Sequence, residues 1–158
     1  NTKEYGDEAN FAKANSLLIK KDYENARKYY KEVLKYDISK HKVEALFKIG
    51  LSYEEEKNYV DAIKSYVRLQ IMYSDSEIVD LATLKIGEVY ELNNQKDKAE
   101  KYYTEFYEKY KNSAYFELGL EKILAFYLND SKKDKAKLYY EELLKLNKDT
   151  AMKYKQYF

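Results

Sequence analysis

Few side chains in this chain are of a kind that does chemistry, and none stands beside a partner that would let it. His41 is the sole histidine. A histidine base or metal ligand needs a neighbour to set its tautomer and charge. His41 has only Lys40 and Lys42 beside it, so it reads as a surface residue in the first turn of a helix. Glu54, Glu55, Glu88, Glu91 and Glu121 offer carboxylates, yet none has a nucleophile or a liganding histidine at motif spacing. The four glycines are isolated, which excludes a phosphate-cradling loop, and the lack of cysteine excludes a thiolate metal site or a disulfide framework. The double tyrosines Tyr29-Tyr30, Tyr102-Tyr103 and Tyr139-Tyr140 could stack on bases. However, 29 basic and 28 acidic residues nearly cancel and no basic stripe accompanies the rings. No catalytic residue, cofactor, metal or nucleic-acid partner is expected, and no apolar run is long enough for a membrane span.

What the residues do instead is repeat. Ser39, Ser76, Ser113 and Thr150 stand 37 residues apart. The same interval links Ile49, Ile86 and Ile123, then Tyr53, Tyr90 and Tyr127. It also links Ala62, Ala99 and Ala136, then Tyr66, Tyr103 and Tyr140, then Leu69, Phe106 and Leu143. The first unit is one residue shorter and places Leu17, Ala26, Tyr30 and Val33 in these columns. A single domain over 1–158 follows, with units at about 5–38, 39–75, 76–112 and 113–149 and a partial fifth over 150–158. A fixed register across most of a chain marks a repeat architecture, which exposes a long surface instead of enclosing a pocket.

Each unit divides into two amphipathic helices. Leu46, Ile49, Gly50 and Tyr53 fall on one helical face, and Tyr59, Ala62, Tyr66 and Leu69 on another. The Lys57-Asn58 turn between them fits only an antiparallel hairpin. Ser39, Ser76 and Ser113 suit helix N-caps. Gly50 and Gly87 lie inside helices, where glycine costs about 1 kcal/mol against alanine, and so predict close approach of a neighbouring backbone. The tyrosines at 66, 103 and 140 are the expected core rings.

These residues resemble the tetratricopeptide repeat. Leu46-x-x-Ile49-Gly50-x-x-Tyr53 followed by Tyr59-x-x-Ala62-x-x-x-Tyr66 is similar to its W-x-x-L-G-x-x-Y and A-x-x-x-F pattern, and Ile86-Gly87-x-x-Tyr90 with Ala99-x-x-x-Tyr103 repeats it. The closing proline is missing and the period is 37 where 34 is usual. The resemblance implies an all-α, right-handed superhelical solenoid of about four units plus a partial fifth, acting as a non-catalytic adaptor for a protein or peptide partner. The linker Tyr73-Ser74-Asp75-Ser76 resembles that of bacterial envelope members of the family, those of outer-membrane assembly and the Tol–Pal-associated periplasmic protein, which implies the periplasm. A cytoplasmic scaffold, an accessory region of a larger cell-wall enzyme, and self-association through Met152, Tyr154, Tyr157 and Phe158 at the C-terminal end are the alternatives.

The resemblance also implies that the first helix of each pair lines a concave groove. Counting one face away from the core gives Phe11, Asn15 and Leu18, then Phe47, Leu51 and Glu54. Next come Leu81, Leu84, Glu88 and Glu91, then Leu118, Glu121, Ala125 and Leu128. This is an apolar stripe edged with acid, expected to hold a helix that carries some positive charge. Leu84 is the expected exposed central anchor, and with Asn15 as the only fitting clamp residue a C-terminal carboxylate ligand is disfavoured.

Overall fold

The computed structural model describes residues 6–158. The start of the first unit at residue 5 lies outside them. Four helix pairs follow in order: α1 (Gly6–Ile19) with α2 (Tyr23–Val33), α3 (Lys42–Glu55) with α4 (Tyr59–Met72), α5 (Ile78–Leu92) with α6 (Lys96–Lys109), and α7 (Phe116–Asn129) with α8 (Lys133–Leu146). A short α9 (Lys148–Met152) and a 3₁₀ turn (Lys155–Tyr157) end the chain. Among the described residues there is no strand. Each helix packs on its sequence neighbours, and α5 also touches α3 on one side and α7 on the other, while the second helices of the pairs do not come equally close. That puts the first helices on the inside of the curve. The result is an all-α solenoid.

The turn inside every pair has one construction. Lys21, Lys57, Asn94 and Ser131 adopt left-handed backbone at φ 60, 60, 61 and 56°. The next amide reaches back across the turn, as Asn58 N does to the Tyr53 carbonyl and Gln95 N to the Tyr90 carbonyl, both at 2.9 Å. Lys57 N and Asn94 N close the inner bond at 2.9 Å. This double closure satisfies carbonyls that a helix end leaves open. Asp22 and Asn58 then cap the second helix of their pairs with a side-chain oxygen, while Gln95 and Lys132 make no such bond.

The serines act differently from a simple N-cap. Ser39, Ser76 and Ser113 Oγ accept from the amides of His41, Ile78 and Tyr115 at 3.2, 3.4 and 3.1 Å. They tie a turn two residues on, and the helices begin after it at Lys42, Ile78 and Phe116. Thr150 leaves the pattern altogether. It lies within α9, whose cap is Asn147, accepting from Thr150 N at 3.1 Å.

Three core clusters run along the solenoid, each shared between adjacent pairs. Ala26, Ala62, Ala99 and Ala136 are fully buried, as are Val33, Leu69, Phe106 and Leu143. Gly50 and Gly87 make room for a ring rather than a backbone: a Cβ there would lie 2.6 Å from Tyr66 and 2.8 Å from Tyr103. Gly119 does the same for Phe106 of the preceding pair. The swap is compensating, since Leu69 and Ala82 stand where Phe106 and Gly119 do one unit later.

Candidate protein-binding face

The inner surface is built from α1, α3, α5 and α7, and three of the expected groove residues are not on it. Phe11, Phe47 and Leu84 are buried, Leu84 completely. Phe11 and Phe47 lean on the rings of Tyr30 and Tyr66 at 5.9 and 5.4 Å. The reason is helical geometry. Phe47 and Leu84 precede Gly50 and Gly87 by three residues, a spacing that keeps both on one face, so this column belongs to the core stripe. Leu84 is therefore not an exposed anchor. Glu121, next in the column, is half-buried under the C-terminal segment and accepts from the Tyr154 hydroxyl at 3.2 Å.

The other named positions are only partly covered. Leu18, Leu51, Leu81, Ala125 and Leu128 are half-buried, and Leu118 is exposed. The acid that edges them is engaged. Glu54 accepts from the Tyr66 hydroxyl and from Lys85, both at 2.9 Å. Glu88 meets Lys85 and Lys122 at 3.5 Å each, and Glu91 accepts from the Tyr103 hydroxyl at 2.7 Å. Asn15 accepts from Tyr30 at 2.7 Å and from Lys48 at 2.9 Å.

Lys48, Lys85 and Lys122 form a column that the groove reading passed over, although they too stand 37 residues apart. That interval was the available signal. Each bridges to the preceding first helix. Burial alone would lower the Lys85 ammonium, but Glu88 and Glu54 outweigh it and push its pKa up. Phenol burial, reinforced by Glu54 and Glu91, raises Tyr66 and Tyr103 far above the ordinary tyrosine range. The face thus carries fixed charges in a ladder crossing unit boundaries.

His41 is not a free surface histidine. Its ring stacks on Phe11 at 4.3 Å and 14°, and Nε2 is buried without a hydrogen-bond partner among the described residues. No three His, Cys, Asp or Glu side chains come together as metal ligands among the described residues, and no described helix is long and apolar enough to cross a membrane. At the C-terminal end Tyr154 folds back onto α7 and the Phe158 ring stacks on Tyr140 at 4.6 Å, while Met152 and Tyr157 remain exposed.

Comparison with known proteins places the architecture. Residues 11–77 and 81–113 match family models of the tetratricopeptide repeat. These stretches are tetratricopeptide repeats, units that mediate protein–protein interaction and are typically not catalytic. The crystal structure of MamA protein superposes over 98% of this chain and 90% of that one, with a TM-score of 0.71 at 20% identity. A second structure, crystal structure of MamA, covers 88% of this chain and 96% of that one at 22% identity, with a TM-score of 0.38. No curated protein matches the sequence.

Proposed function

We propose that the chain is a non-catalytic scaffold that holds a peptide or helix of a partner protein along its inner face. The observation that carries this is the cross-unit ladder Glu54–Lys85–Glu88–Lys122 beside the partly open Leu51, Leu118 and Leu128. Apolar positions at helical spacing anchor a segment, and the ladder offers charge that can be exchanged for the ligand's own. Glutamates outnumber lysines on this face, which favours a segment bearing basic residues and an affinity that weakens as salt rises. Residence in the bacterial envelope is part of the proposal and rests on the Tyr-x-x-Ser linkers.

The test pairs a groove variant with an outer one. Wild type, Leu51→Lys/Leu118→Lys and Lys28→Glu are used to capture partners from native lysate, with dichroism melts showing that each is folded. A partner retained by wild type and Lys28→Glu but lost by the double variant is the expected result. Equal capture by the double variant removes the inner face as the site.

A further inference from the structure

One column of the repeat loses its ring in a single place. Tyr29, Ser65, Tyr102 and Tyr139 occupy equivalent positions on the second helices, so only the second pair lacks a tyrosine there. In the third and fourth pairs this ring lies against the first helix of its own pair. Tyr102 stacks on Tyr90 at 5.6 Å, and Tyr139 on Tyr127 at 5.4 Å. Ser65 is buried, and its hydroxyl donates to the Asp61 carbonyl at 2.8 Å. The space a ring would take stays open as a cavity of about 210 Å³ between α2, α3 and α4. Its floor is Leu34, Leu46, Ile49 and Tyr53. Protein interiors are close-packed and hold few voids of this size.

We propose that this cavity is a binding site for a single-ring aromatic acid. The molecule itself indicates the occupant, because its third and fourth pairs set a phenol ring on Tyr90 and Tyr127, the column that Tyr53 holds in the second. A mostly apolar floor offers little to an ordered water, which needs two to four polar partners, and an apolar cavity of ~150 Å³ takes up benzene. The Arg27 guanidinium lies over the Tyr53 ring at 4.2 Å, but it is held by Glu56 and Ser52 and does not line the cavity. Charge at the mouth adds the acid. Lys31, Lys64 and Arg68 stand exposed there, with Asp61 the one carboxylate. Lys64 pairs with Asp61 at 3.1 Å. Lys31 and Arg68 have no carboxylate partner among the described residues, and Arg68 Nε donates to Met72 Sδ at 3.3 Å. A ring seated on Tyr53 therefore leaves its carboxylate beside two uncommitted cations. The cavity is smaller than the ~300 Å³ at which drug-sized pockets begin, which limits the ligand to one ring.

Phenylacetate is the probe, titrated into the full chain and followed by two-dimensional amide NMR. Saturable shifts at Ile49, Tyr53 and Ser65 are expected, with a dissociation constant on the order of 0.1–1 mM for so small a ligand. Ser65→Tyr supplies the missing ring from the chain itself. It should melt no lower than wild type, since it fills a void, and should lose the phenylacetate shifts. Should that variant not fold, Lys31→Ala/Arg68→Ala decides, because both side chains are exposed. It should weaken phenylacetate about tenfold and leave toluene, a ring without charge, unchanged. No saturable shift with phenylacetate at ~10 mM, above the weakest constant expected, overturns the proposal. Unchanged binding in folded Ser65→Tyr overturns it too, as does a loss in the rim variant that toluene shares equally. Cyclohexylacetate has the same charge and a ring that is not flat, and binding as tight as that of phenylacetate would overturn the aromatic assignment.

Discussion

The third helix pair and the fourth share the same register but fill it differently. In the third, Gly87 vacates volume for the Tyr103 ring, and Glu91 one turn on accepts its hydroxyl at 2.7 Å. The second pair does the same with Gly50, Tyr66 and Glu54, the bond there being 2.9 Å. In the fourth, the glycine and glutamate positions are Leu124 and Leu128. Leu124 is fully buried, and Tyr140 is left half-buried and covered by Phe158. Tyr139 enters the core in its place, between the rings of Tyr107 and Tyr127 at 5.1 and 5.4 Å. In this tyrosine column the ring is core where the facing helix gives it both room and an acceptor, Gly50 with Glu54, Gly87 with Glu91, and in the first pair Ala14 with Asn15 for Tyr30. Where leucine fills the small-residue position the ring has no space, and no acceptor draws its hydroxyl inward.

The sharpest way to break this comparison is to remove both rings. Tyr103→Ala should destabilise by ~3–5 kcal/mol, the cost of emptying a buried aromatic site. Tyr140→Ala removes a half-covered ring and should cost only about 1 kcal/mol at the area coefficient for apolar burial. Urea midpoints decide, and equal shifts would mean that the fourth pair buries its tyrosine as the third does.

Filling the glycine comes next. Alanine at position 87 gains ~1 kcal/mol in helix propensity, but its Cβ would stand 2.8 Å from Tyr103. Overpacking of this kind costs typically ~1–3 kcal/mol, and a ring 1% exposed has nowhere to slide. The clash should win, leaving Gly87→Ala less stable than wild type by about 1 kcal/mol. A gain in stability would place the Tyr103 ring elsewhere.

The hydroxyls give a smaller effect with a sign that reverses in alkali. Burial first, then Glu91, raises the Tyr103 phenol well above its ordinary value of 10.0, and burial and Glu54 do so for Tyr66. The neutral phenol is the form the fold favours. Its contribution is therefore complete below pH ~10, where unfolded tyrosines titrate, and is lost as pH rises towards the folded pKa. Tyr103→Phe should cost about 1–2 kcal/mol near pH 8, and its deficit should shrink and then invert above pH ~10. Tyr140→Phe, which removes no buried hydroxyl bond, should cost less than Tyr103→Phe near pH 8. Thermal melts across this range check both, and a pH-independent Tyr103→Phe deficit would deny the hydroxyl a buried, protonated state.

The helices and their pairing were legible because each column recurs, so chance agreement at one position is outvoted by the others. Ala62, Ala99 and Ala136 needed no structure to be read as core. The groove was less legible. A helix presents a continuous ring of positions, and deciding that Leu51 stays partly open while Phe47 packs on the paired helix takes the crossing geometry, which periodicity alone lacks. Tyr140 shows a further limit. A column predicts burial only if the positions facing it repeat too, and Leu124 breaks that condition from the opposite helix. The lysines at 48, 85 and 122 share the register too, but which acceptor each meets on the preceding first helix is set by the stacking of the pairs, which no column records. Ser39, Ser76 and Ser113 were found as capping residues, but the turn inserted before each helix is a backbone feature that no side-chain column records.

Where the rule is local and shared by every pair, the contrast between the third and fourth should vanish. Lys57 and Ser131 sit in the second and fourth pairs, in the same left-handed turn, at φ 60 and 56°. A side chain there brings its Cβ against the following carbonyl at a cost of roughly 1–2 kcal/mol, which glycine avoids. Part of that gain is offset by the larger backbone freedom of glycine in the unfolded chain. Lys57→Gly and Ser131→Gly should each stabilise by about 0.5–1 kcal/mol, and by the same amount within error. The turn answers only to its own backbone and not to the ring packed beyond it. A gain at position 57 with a loss at position 131 would show that the Leu124 substitution also strains the turn, and the two pairs would then differ in their hairpins as well as their cores.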